Sequence, residues 1–64
     1  MNAMQAQQMA AARGCGSVKE LISRLRRTAT ELRNRPADNR KERSRLDSIA
    51  IINDREADSL TQYQ

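Results

Sequence analysis

Residues 17–34 read SVKELISRLRRTATELRN, and the spacing of their apolar side chains decides the fold class. At about 100° per residue, Val18, Leu21, Ile22, Leu25, Ala29 and Leu32 fall in a single stripe, and every Arg, Lys and Glu of the segment lies outside it. The opening Ser17-Val18-Lys19-Glu20 has the S-x-x-E spacing of a capping box. In that motif the Ser17 hydroxyl accepts from the amide of Glu20, and the Glu20 carboxylate reaches back to the amide of Ser17. The pattern predicts an amphipathic helix over residues 17–34.

On the C-terminal side, Arg35 precedes Pro36 and is biased away from helical dihedrals, while Asp38 is placed to cap a following helix. The connection, residues 35–38, is short, and helices joined by so few residues fold back as antiparallel neighbours. A second helix is expected over about 39–62. Its stripe toward the first helix is Leu46, Ile49, Ala50, Asn53, Ala57 and Leu60. Ile51 and Ile52 project to either side of it, so residues 49–52 are apolar around most of the circumference, as in a helix with more than one packing partner. Asn53 has two readings. A buried Asn in a bundle fixes register and oligomeric state, whereas Asn53-Asp54-Arg55-Glu56 has N-x-x-E capping spacing and implies a break near 53 with a short third helix after it.

On the N-terminal side, residues 1–13 (MNAMQAQQMAAAR) consist largely of Ala, Gln and Met, which favour helix but offer no continuous stripe of large apolar groups. Gly14-Cys15-Gly16 then interrupts the chain. Residues 1–16 are expected to form an arm, either a frayed helix or disordered, ahead of a hairpin over 17–64.

The supply of core residues is thin. The 64 residues contain ten large aliphatic side chains, no Phe, no Trp and a single Tyr63. A chain this short buries only about 60% of the surface its unfolded form exposes, and such domains are usually completed by disulfides, metals or association. The lone Cys15 cannot make an internal disulfide, and without histidine there is no Cys/His cluster for structural zinc. Association remains. The expected fold is all-α: an antiparallel helical hairpin forming a homodimeric four-helix arrangement, with Val18, Leu21, Ile22, Leu25, Leu32, Leu46, Ile49, Ile52 and Leu60 as core or dimer contacts. In plan it resembles the repressor-of-primer type of plasmid protein, a helical-hairpin dimer. That resemblance covers architecture and length, rests on no shared motif, and transfers no functional residue.

Catalysis at neutral pH usually needs a positioned acid, base, nucleophile or metal, and histidine, the commonest acid–base group, is absent. Cys15 lies between glycines, without the neighbours that activate a thiol apart from Arg13 and the start of the next helix. Gly14-Cys15-Gly16 lacks the spacing and the preceding strand of a phosphate loop. Asp54, Glu56 and Asp58 read as a solvated acidic face. The sequence therefore points away from an enzyme, and no metal or cofactor is expected. No apolar run approaches the ~20 residues of a membrane span and no signal-peptide pattern opens the chain, which reads as soluble and cytoplasmic.

Arginine is the chemical feature that stands out. Arg24, Arg26, Arg27, Arg33, Arg35, Arg40, Lys41, Arg43 and Arg45 place nine cations in residues 24–45 against Glu31, Asp38 and Glu42, a net of +6. Residues 46–64 carry one cation against four carboxylates, so charge gathers at the turn of the hairpin. Part of it is accounted for by i,i+4 pairs on solvated faces: Glu20/Arg24, Arg27/Glu31, Glu31/Arg35 and Arg43/Asp47. The expectation is a small regulatory or accessory protein of the phage or plasmid kind, acting as a homodimer on another protein through its charged ends and a leftover apolar position such as Ile51 or Ile52. The alternative is a regulator that grips RNA or DNA phosphates through the arginine-rich pole. Against it, that segment has no aromatic residue to stack bases, and no helix-turn-helix or strand-led ribbon-helix-helix pattern is present.

Overall fold

A computed structural model describes residues 1–64. The chain forms three helices, α1 (Ala3–Ala12), α2 (Val18–Asn34) and α3 (Arg40–Leu60), closed by a 3₁₀ turn over Thr61–Tyr63. α2 and α3 are antiparallel and make the main interface, and the molecule is a rod of 41 × 18 × 15 Å. There is no strand, and no helix is long and apolar enough to cross a membrane.

α2 begins where its cap dictates. The Ser17 hydroxyl accepts from the Glu20 amide at 3.1 Å, but the return bond differs from the expected box. The Glu20 carboxylate accepts at 2.7 Å from the amide of Gly16, one residue earlier than Ser17. α2 buries Val18, Leu21, Ile22, Leu25, Ala29 and Leu32, the six positions of its stripe.

The N-cap of α3 is Asn39 rather than Asp38. The Asn39 side chain accepts from the Glu42 amide at 2.8 Å, and the Glu42 carboxylate accepts from the Asp38 amide at 3.0 Å. α3 then runs unbroken to Leu60, so the capping spacing at Asn53 starts no third helix there. Once Asn53 lies in mid-helix its amide is taken by the helical ladder, and the side chain has nothing to cap.

The N-terminal segment takes the helical one of its two expected forms, packed rather than frayed. Residues 3–12 form a capped helix that packs on α2. Asn2 and Gln5 exchange reciprocal side chain to backbone bonds of 2.9 Å at its start. Its end is a Schellman turn: the Cys15 amide donates to Ala10 at 2.8 Å, the Gly14 amide donates to Ala11 at 3.0 Å, and Gly14 takes a φ of +77°. Ala6 and Ala10, four residues apart, are buried on the face toward α2. Small side chains suffice here because they let the helix backbones approach closely.

The core divides into two clusters. One, at the open end, joins Ala6, Ala10, Cys15, Val18, Leu21, Ile22, Leu25, Ala57 and Leu60, with Met9 and Tyr63 partly buried against it. The other, near the turn, is Ala29, Leu32, Leu46 and Ala50, with Ala37 alongside. Asn53 occupies the stripe position of α3 between Ala50 and Ala57, and is half-buried. Ile49, expected in the stripe facing α2, is 38% exposed, because Ala50 and Ala57 instead face α2 with no exposure at all. Ile49 is turned about 100° from Ala50 and so lies on the flank.

Candidate interaction surfaces

The charged residues fall into those engaged within the chain and those left free. Three carboxylates at the C-terminal end of α3 are paired in cis: Arg13 with Glu56 at 2.8 Å, Arg26 with Asp58 at 3.3 Å, and Arg33 with Asp54 at 2.6 Å. Each pair joins different segments. Arg26 and Arg33 lie on one flank of α2, seven residues apart, and reach Asp58 and Asp54 on the matching flank of antiparallel α3. Of the four i,i+4 pairs foreseen, Arg43 with Asp47 forms, at 2.9 Å. Glu20 is occupied by its capping bond to Gly16, and Arg24 donates to the Arg13 carbonyl at the end of α1, at 2.8 Å. A cation there satisfies an orphan carbonyl and meets the negative end of the helix dipole.

Arg43 serves the fold as well. Its guanidinium donates to the Leu32 and Arg35 carbonyls, both at 2.7 Å, where α2 ends. Thus Arg24, Arg26, Arg33 and Arg43, all candidates for partner contact on sequence grounds, have partners inside the chain. Arg27, Arg35, Arg40, Lys41 and Arg45 make no ion pair or side-chain hydrogen bond within it. Four of these five surround the turn and the first turns of α3. A shallow open depression of about 300 Å³ lies there, lined by Asn39, Lys41, Glu42 and Arg45, with no apolar residue in its wall.

The second surface is apolar. Ile49, Ile51 and Ile52 are 38%, 44% and 61% exposed, consecutive or nearly so on the middle of α3. Ile49 and Ile52 share one flank of the helix, and Ile51 projects to the other. Met1 and Met4 are also exposed, at 63% and 70%, on and just before α1.

Cys15 is buried in the larger cluster, with its thiol toward the Arg13 carbonyl. No three His, Cys, Asp or Glu side chains gather closely enough to hold a metal ion. The sequence signals for the cross-helix pairs were present but ambiguous. Nothing in the spacing of Arg13, Arg26 and Arg33 indicates which carboxylate each will meet until the register of the hairpin is known.

Set against known protein families, characterised proteins and solved structures, the chain finds no match.

Proposed function

We propose that this is a non-enzymatic accessory or regulatory protein that works as a homodimer and binds another protein. The observation that carries the reading is the exposure of three isoleucines, Ile49, Ile51 and Ile52, on one helix of a chain with only ten large aliphatic side chains. Single exposed apolar residues are ordinary, but Ile49 and Ile52 adjoin on one flank of α3 and Ile51 stands on the other, and a chain so short of large apolar groups leaves them outside its core where another molecule can cover them. Asp54, Glu56 and Asp58 pair within the chain with Arg33, Arg13 and Arg26 respectively, so the acidic end meets an outside cation only through the carboxylate oxygens those pairs leave over.

A second reading has its own support. Arg35, Arg40, Lys41 and Arg45, grouped around the turn and without carboxylate partners, form a basic pole suited to phosphates of duplex DNA or structured RNA. Salt separates the two. Phosphate contacts release counterions, and affinity then falls steeply with log[salt], whereas apolar docking responds little. A gel shift on mixed duplex DNA and folded RNA at low and moderate salt is the direct test. The protein-binding reading expects no complex that persists at moderate salt. A tight complex with a steep salt slope, abolished by Ala at Arg35, Arg40, Lys41 and Arg45 together, replaces it with the nucleic-acid reading. Molecular mass measured against concentration tests the homodimer.

A further inference from the structure

We propose that two copies pair through α3, antiparallel, across a twofold axis that passes between Ala50 and Ile51. The inference rests on the homodimer reading above and specifies its seam. Arg45, Ile49, Ile52 and Glu56 are spaced by four, three and four residues, the interval that keeps side chains on one face of a helix and forms a coiled-coil seam. A twofold contact demands that if residue i faces residue j, then j faces i. Here the two inner residues and the two outer residues are centred on the same point of the helix. Antiparallel pairing therefore sets Ile49 against the partner's Ile52 and, at the same time, Arg45 against the partner's Glu56, with both contacts repeated by symmetry.

The charges select this orientation. A parallel pairing in the same register would bring Arg45 to Arg45 and Glu56 to Glu56, and like-charge contacts across an interface are strongly unfavourable. The antiparallel pairing brings opposite charges together at both ends of a seam about 16 Å long. Arg45 has no partner within its own chain, unlike the arginines that stitch the helices together. Glu56 is bonded to Arg13 through Oε1, and a carboxylate has a second oxygen with which to accept the partner's Arg45. Ile49 and Ile52, otherwise left 38% and 61% exposed, are covered. They lie beside Asn53, where the internal core is interrupted, so the seam supplies apolar contact where the single chain has least. Ile51, on the opposite flank of α3, stays outside the seam and available to a different protein.

The test uses charge reversal in the full chain, read by sedimentation or light scattering over a range of concentrations. The parent is expected to dimerise. Arg45→Glu and Glu56→Arg should each raise the dissociation constant at least about tenfold, since each variant alone places like charges at both ends of its seam. Mixed together, they should recover association as a heterodimer, because the chain carrying Arg45→Glu and the chain carrying Glu56→Arg then complement each other at both ends. Circular dichroism checks that each variant is folded; should Glu56→Arg disturb the fold, Ile52→Asp replaces it as the second variant and must weaken association alone. A parent that dimerises while Arg45→Glu dimerises equally well overturns this seam and leaves the homodimer reading intact. A parent that stays single at every concentration overturns both.

Discussion

The Arg43 guanidinium on α3 donates to the Leu32 carbonyl at 2.7 Å, and so one helix caps the other. The last carbonyls of a helix have no partner within it. Pro36 ends α2 without a glycine turn that could satisfy them, and Arg43 takes that role from eleven residues away, with a second bond of 2.7 Å to the Arg35 carbonyl and a third, at 3.1 Å, to the Asp47 carboxylate. Because it crosses the turn, this side chain fixes how α3 sits against the end of α2. Arg43→Ala is expected to lower unfolding free energy by about 1.5–3 kcal/mol, the range for hydrogen bonds to charged groups. Arg43→Lys should recover only part of it, since an ammonium lacks the planar fork. A urea midpoint unchanged in the alanine variant would show that the three bonds contribute nothing.

Gly14 is the position where backbone conformation, not packing, dictates the residue. Its φ of +77° lies in the left-handed region, while a Cβ built there meets nothing within 4 Å. Gly14→Ala should therefore cost about 1–2 kcal/mol through conformation alone. Gly16 poses the opposite case: its Cβ would approach the Glu20 Oε2 at 3.1 Å, at the far end of a flexible side chain. Gly16→Ala is expected to cost less than Gly14→Ala, and denaturant titration of the two variants gives the comparison. The reverse order would mean that the Glu20 bond to the Gly16 amide matters more than the turn.

What could be read from the sequence was whatever large apolar residues and caps announce together. The stripe from Val18 to Leu32, with Ser17 ahead of it and Pro36 behind, yields α2 and the reversal after it because period, start and stop agree. α1 was less legible because its contact face is Ala6 and Ala10, whose small side chains give almost no amphipathic signal. Its signals lay in the caps instead: Asn2 and Gln5 have capping-box spacing, and Gly14 stands where a Schellman turn needs it. The error at Ile49 has a related cause. Alanines at 29, 50 and 57, all without exposure, bring α2 and α3 together along an alanine-lined seam, so the larger isoleucine beside Ala50 is displaced to the flank. The free cations could not be told from the engaged ones by sequence, since pairing across helices depends on a register that only the packed hairpin defines.

Leu25 and Ile49 separate the core from the flank. Leu25 is 7% exposed inside the larger cluster, and Leu25→Asp both removes its packing and buries a carboxylate without a partner. The expected cost exceeds about 3 kcal/mol, enough to unfold a domain of this size. In the single chain Ile49→Asp places its carboxylate at the surface, so at concentrations where the parent is itself dissociated it should retain the helical circular dichroism signal that Leu25→Asp has lost. Equal loss of helicity in both variants would place Ile49 in the core after all.

Asn53 interrupts the stripe of α3 between two buried alanines, and its side chain makes no hydrogen bond within the chain. A half-buried amide without a partner contributes little to a single chain, while a leucine at the same place can extend between the cluster at the turn and the cluster at the open end. Each methylene taken out of water is worth about 0.8 kcal/mol, and leucine also has the higher helix propensity. Asn53→Leu is therefore expected to stabilise the fold by about 1 kcal/mol and to raise the urea midpoint without changing its slope. The opposite result, a loss of stability, would mean that the Asn53 amide is satisfied in the assembled protein by a group from outside the chain, which would return it to the register-fixing role that a polar residue plays at a helical interface.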